Sequence, residues 1–146
     1  MAITSAICNS FKQEILEAEH NFTATTGNTF NLALYTSSST LSASTTAYSS
    51  TAEITNTSGT SYSAKGKALT SVTPTLDSST AVCDFADVSW TSASFTANGC
   101  LIFNDSHATD ASVCAVAFGG DKTVSSGTFT VQFPAAAATT AIIRIA

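Results

Sequence analysis

GCLIFN at 99–104, SVCAVAF at 112–118, GTFTVQF at 127–133 and TAIIRI at 140–145 decide how this chain reads. Each segment is short, rich in β-branched and aromatic residues, and alternates in character along its length. The connectors NDSHATDA, GGDKTVSSG and PAAAATT carry the Gly, Pro, Asn, Asp and Ser of turns and loops. Four consecutive strands in one sheet are therefore expected. Phe129, Val131 and Phe133 share one strand face. Ile143 and Ile145 share one face of the last segment, and Ile142 and Arg144 the other. Gly119-Gly120-Asp121-Lys122 reads as a tight turn. It lacks the GK[ST] ending and following helix of a phosphate loop. Pro134 ends its strand. With Ala146 following directly, the last strand is expected to sit in the sheet.

Upstream, TSAICNSFKQEILEAEHN (4–21) is the one helical pattern. Ile7, Phe11, Ile15 and Ala18 or Phe22 recur three or four residues apart. Thr4 or Ser5 offers an N-cap, and Ser10 with Gln13 a capping box one turn later. Asn21 is the stop. Such an amphipathic helix covers a core, or it acts as an arm docking on a neighbouring subunit. NTFNLALYT (28–36) alternates as a strand. SSSTLSASTTAYSS (37–50) reads as a long solvated connector with a short helical turn near residues 43–48.

Residues 53–56 form a weak strand and residues 62–72 a better one with a bulge at Gly66, separated by a turn at Ser58-Gly59. Pro74 belongs on an edge or at a strand end. STAVCDF (79–85) is a strand, which residues 88–90 and 94–96 continue. Trp90, Phe85 and Phe95 belong to the core. Eight to nine strands with turn signals about every ten residues indicate a mainly β, single-domain fold spanning 1–146. It is an antiparallel β-sandwich or barrel, jelly-roll-like, with one N-terminal helix.

Of the 146 residues, 44% are hydrophobic and only 10% charged, with a net charge of −5. That charge share is well under half of the ~25% usual in soluble domains. Ser and Thr fill about a third of the chain and take the polar positions of the strands. A weakly charged, hydroxyl-rich surface favours association with other chains. The basic residues Lys12, Lys65, Lys67, Lys122 and Arg144 are scattered, which argues against nucleic-acid binding. No apolar run approaches a membrane span. MAITSAICNSF lacks the basic leader and apolar stretch of a signal peptide, so synthesis in a cytoplasm is expected.

Cys8, Cys83, Cys100 and Cys114 are not in CxxC spacing and neighbour neither His20 nor His107. No zinc site is expected. Cys83, Cys100 and Cys114 sit in apolar strands and read as buried thiols, with a cross-strand disulfide as the alternative. Ser, His and Asp are too abundant for a triad to mean anything, and no G-x-S-x-G elbow occurs. His107 lies in a polar loop and reads as an exposed imidazole. His20 reads as a cation offsetting a helix dipole. Asp84 and Asp87 flank a strand end with too few oxygens for a cation. Together with Glu53 they are the only candidates for paired-carboxylate chemistry. No catalytic, cofactor-binding or metal residue is assigned.

CNSFKQEIL (8–16), FNLALYTSSSTLSASTTAY (30–48), the Trp90 region, FGGDKTVSSGTFTVQFP (118–134) and AIIRIA (141–146) together resemble a family of small tailed-phage virion proteins. The resemblance runs in order along nearly the whole chain. It departs at AEITNTSGTSYSAKGKAL (52–69), which is longer and more polar than the family's E-x-x-G-x-G-Y-x-x-G-G pattern. Members are labelled capsid decoration (cement) or tail-associated proteins, and the family brings no catalytic residues. The resemblance implies a non-enzymatic virion protein without cofactor, made in the host cytoplasm. Its partners would be the major capsid protein and copies of itself, as a homotrimer on capsid three-fold positions. Residues 4–21 and the loops within 37–60 would carry the contacts. A host-recognition module binding surface glycan is the alternative.

Overall fold

The computed structural model describes residues 2–55 and 61–146. In chain order the elements are β1 (Ala6–Ile7), α1 (Asn9–Leu16), β2 (Phe30–Tyr35), β3 (Lys67–Ala68), β4 (Ser71–Asp77), β5 (Thr80–Phe85), β6 (Val88–Asn104), β7 (Ala111–Val131) and β8 (Ile143–Ile145). They form two antiparallel sheets, ordered β1-β7-β6-β2-β3 and β4-β5-β8. The fold is mainly β and sandwich-like, with one short helix near the N-terminus and no closed barrel.

The spine is the β6–β7 hairpin. Asn104 pairs with Ala111 at its closed end and Val88 with Val131 at the other. The expected strands at 112–118 and 127–133 are thus largely one strand, and the expected turn at Gly119–Lys122 is a correction. From Ala97↔Lys122 to Gly99↔Ala117, β6 advances two positions (97 to 99) while β7 advances five (117 to 122). The surplus bulges outward through Gly119 (φ 74) and Gly120 (φ 137), backbone angles that favour glycine. Locally a bulge and a turn need the same residues, and only the partner strand tells them apart. A second correction concerns 140–145. Its last three residues leave the hairpin's sheet and pair with β5, Cys83 against Ile143 and Ala81 against Ile145.

Directly paired residues share a face. Phe30, Leu32 and Leu34 lie with Asn104, Ile102 and Cys100 on one face of the large sheet. Asn31, Ala33 and Tyr35 lie with Phe103, Leu101 and Gly99 on the other. Leu101, Ile102 and Phe103 are all fully buried, so both faces are covered. The small sheet and the segment around α1 cover the first. Phe22 stacks on Phe30 at 4.3 Å between ring centroids, and Phe85 meets both. The 37–53 segment covers the second, with Tyr48 stacked on Phe103 at 4.8 Å.

That segment is therefore a packed layer, not the solvated connector expected. Ser39 and Leu41 are buried, Ala47 bridges Ala111, and no helix forms near 43–48. The apolar face of β2 and β6 needs a cover, and Leu41 and Tyr48 supply it.

The helix is shorter than the expected 4–21. Ala6 and Ile7 pair with Ala115 and Cys114 on the free edge of β7, and the Thr4 amide donates to the Leu41 carbonyl. Cys8 occupies the N-cap without a side-chain cap bond, so neither Thr4, Ser5 nor the Ser10–Gln13 pair caps it. Ala18, at φ 61, breaks the other end. Residues 62–72 are broken as well. The Gly66 amide closes a turn on the Ser63 carbonyl, with β3 and β4 following. Gly66 is there because a Cβ would overlap the Leu32 carbonyl. Glu53 makes only a bridge to Tyr35, and the Ser58-Gly59 turn lies outside the described residues. Pro74 lies on edge strand β4, in the register shift between Val72 and Thr75, where no ladder donor is needed.

All four cysteines are free and buried. Burial raises the thiols, Cys83 and Cys100 to about 12, and Cys8 and Cys114 also upward. A thiol is reactive only as thiolate. In native protein at about pH 8, none of the four should react with Ellman's reagent within minutes, and all four should react in denaturant. Rapid native labelling of any one would contradict this packing.

Candidate functional site

Polar side chains converge at two places in the interior. The first joins the segment after α1 to the sheet. Asn104, fully buried at the end of β6, accepts the Ser106 amide on Oδ1 at 3.0 Å. Its Nδ2 donates to the Glu19 carbonyl and to Asn28 Oδ1, each at 3.2 Å. Nδ2 also lies 3.2 Å from His20 Nδ1, so its two hydrogens are shared among three neighbours. The other ring nitrogen, Nε2, donates to Glu14 Oε2 at 2.8 Å.

His20 is buried among Phe11, Phe22 and Phe30. It lies four residues past the end of α1 and inside the core, which corrects its expected place at a helix end. His107 is not a free loop imidazole either. It stacks on His20 at 6.4 Å and its Nε2 lies 3.5 Å from Glu19. Thr109 holds the other side of the His107 ring, its Oγ1 3.0 Å from Nδ1, and the arrangement works as a clamp.

The second convergence ties the 37–53 layer down. Glu53 is buried and accepts Tyr48 and Tyr62 hydroxyls, each at 2.6 Å. The Tyr62 oxygen in turn accepts the Leu34 amide at 2.9 Å. Tyr35 donates to the Ser49 carbonyl. Burial, then the Glu53 carboxylate, pushes Tyr48 up to about 12 and Tyr62 further. Burial raises Tyr35 too. Lys65 lies over the Tyr48 ring and bonds Asp105 and Asp110 at 3.0 Å. The Asp110 and Asp105 carboxylates push its ammonium up, away from the neutral amine a nucleophile needs. This Lys holds φ 68, a left-handed angle costly for a residue with a side chain, and the two carboxylates secure it there.

The remaining carboxylates named above are dispersed. Asp84 accepts its neighbouring Phe85 amide, and Asp87 accepts the Phe133 amide from the other sheet's flank. The structure brings neither to Glu53. Among the described residues, no three His, Cys, Asp or Glu side chains are grouped to hold a metal ion, and no helix is long and apolar enough to cross a membrane.

An open groove lies at the rim. A groove of about 470 Å³ runs between α1 and the small sheet, lined by Phe11, Ile15, Phe22, Cys83, Ile143 and Ile145 among others. Leu76, Ala81 and Ile145 form one row by direct pairing, beside the Cys83–Ile143 row. Cys83 and Ile143 are buried, but Leu76 is 73% and Ile145 57% exposed. The core-facing side of the small sheet overhangs its cover. Leu16, next to groove-lining Ile15, is 88% exposed. Sequence reading found the apolar residues but not the overhang, which needs the register of β8 on β5.

No protein-family model, curated protein or solved structure matches this chain.

Two outcomes test the Glu53 cluster. Tyr62→Phe leaves a buried carboxylate and the Leu34 amide each short of a partner, and should cost about 1–3 kcal/mol in urea unfolding. The pH dependence follows from the raised phenols. The folded state holds their protons more tightly, so their stabilisation is complete below the unfolded value of 10.0 and is lost as pH rises toward about 12. Stability measured from pH 9 to 12 should fall, and fall less in Tyr62→Phe; equal slopes would contradict the assignment.

Proposed function

We propose that this chain is a non-enzymatic structural protein of a tailed-phage virion, a capsid decoration (cement) protein. It would act as a homotrimer bound to the major capsid protein. The carrying observation is the overhanging apolar groove, with Leu16, Leu76 and Ile145 exposed around it, in a chain with only 10% charged residues. Exposed apolar side chains beside an apolar groove suit a contact surface. The likeness of FGGDKTVSSGTFTVQFP and AIIRIA to small virion proteins supplies the particle. Two further observations favour a contact role over chemistry. His20 is bonded to Glu14 and Glu53 to Tyr48 and Tyr62, and the Lys65 amine is held as an ammonium.

The glycan-binding alternative draws less support. Hydroxyls of the 36–45 segment turn back on their own chain. Thr36 bonds Ser38 and the Ala52 carbonyl, Ser42 bonds Ser44, and Thr45 accepts the Ser42 amide.

Purified protein should bind expanded capsids that lack it and raise their resistance to heat, with density at three-fold positions in imaged particles. Binding to host cells or glycans with bare capsid three-folds would overturn the proposal.

A further inference from the structure

We infer that the stacked pair His20 and His107 is an acid-sensitive latch, holding the segment after α1, residues 17–28, against the end of the β6–β7 hairpin. The contacts of the two rings follow one pattern. Each turns Nε2 to a carboxylate, His20 to Glu14 at 2.8 Å and His107 to Glu19 at 3.5 Å. Each turns Nδ1 to an N–H group, His20 to the Asn104 side-chain amide at 3.2 Å and His107 to the Thr109 backbone amide at 3.3 Å. Neutral rings with the proton on Nε2 suit all four contacts.

A second proton on either ring goes to Nδ1 and meets a donor. The two sites differ in how they can respond. His107 is partly exposed, and the Thr109 hydroxyl, 3.0 Å from its Nδ1, can turn to accept. The His20 side chain is fully buried, and the Asn104 carboxamide is held in its orientation. Asn104 Oδ1 accepts the Ser106 amide. Its Nδ2 faces two oxygens, the Glu19 carbonyl and an Asn28 Oδ1 that itself accepts the Asn21 amide. A doubly protonated His20 therefore buries an N–H against a donor, which costs as much as a lost buried hydrogen bond.

The charges around the ring do not offset this. Glu14 is the counter-charge, but its bond to Nε2 exists before acid is added, and at 20% exposure water screens the added attraction. His107, stacked at 6.4 Å, becomes a like charge. Phe11, Phe22 and Phe30 carry none. Asp105, next to Asn104 in the chain, is paired with Lys65. From the small sheet, Cys83 and Arg144 line the same groove as His20, and Arg144 donates to the Ala138 carbonyl. Swinging His20 into water relieves the clash. Residues 20–23 form one wall of that groove, so the swing opens the wall and bares Phe30, on which Phe22 stacks.

Urea unfolding and amide hydrogen exchange from about pH 8 to pH 5, the range in which histidine changes charge, test this. In wild type the folded-to-unfolded ratio should fall about tenfold or more. The Ser106 and Asn28 amides, corrected for intrinsic exchange, should lose protection before those of central β6. His20→Phe fits among three phenylalanines and should fold without this acid response, whereas His107→Gln should keep most of it. Proton NMR of wild type gives a reading without substitution. The His107 ring should titrate within the folded protein, and the His20 ring only together with changes in the signals of residues 17–28.

A stability that holds or rises toward pH 5 would overturn the latch. So would a His20→Phe protein that weakens as steeply as wild type, or a His20 ring that titrates while its neighbours' signals stay in place.

Discussion

The central strands are apolar on both faces, and the rest of the fold answers that constraint. Leu101, Ile102 and Phe103 are consecutive and fully buried, as are Leu32, Ala33 and Leu34 on β2. A strand exposes successive side chains on opposite sides, so this run demands two covers. The small sheet, with Phe22 and His20, makes one. The 37–53 segment, with Leu41 and Tyr48, makes the other. Neither cover is a regular layer of long strands or helices, and neither has many apolar residues to contribute.

Polar joints compensate for the thin covers. Asn104 reaches from the end of β6 to Glu19, His20 and Asn28, across 76 or more residues of chain. Glu53 gathers Tyr48 and Tyr62, and Tyr62 holds the Leu34 amide. Buried polar groups that are fully bonded rigidify the structure around them, and half-bonded ones weaken it. The titratable groups that invite catalytic readings are the pins of the two covers. One cover falls short at the Leu76–Ala81–Ile145 row, which leaves Leu76 and Ile145 exposed.

Much of the sheet was legible in period-two alternation. NLALY, TAVCDF and GCLIFN form strands where the pattern places them, and Pro74 falls on an edge strand because proline cannot donate to a ladder. The failures share one cause. Ile7 continues the spacing of Phe11 and Ile15, yet it pairs with Cys114 because the edge of β7 was open. Glycines at 119 and 120 announce positive φ, which a turn and a bulge both use. His20 and Asn104 are bonded at a separation of 84 residues, and no local window holds both.

By itself the sequence determined that this is a mainly β protein with a sparse charge, Trp90 and Phe85 in its core and an amphipathic helix near the N-terminus, because propensity, alternation and composition are local properties of the chain. The tertiary structure alone decided which segments pair, that the hydroxyl-rich segment is a layer, that Glu53 and Asn104 are joints, and that Leu76 and Ile145 overhang. Those outcomes depend on strand register and on which edges and faces remain open once the hairpin has formed, and register is a relation between distant segments.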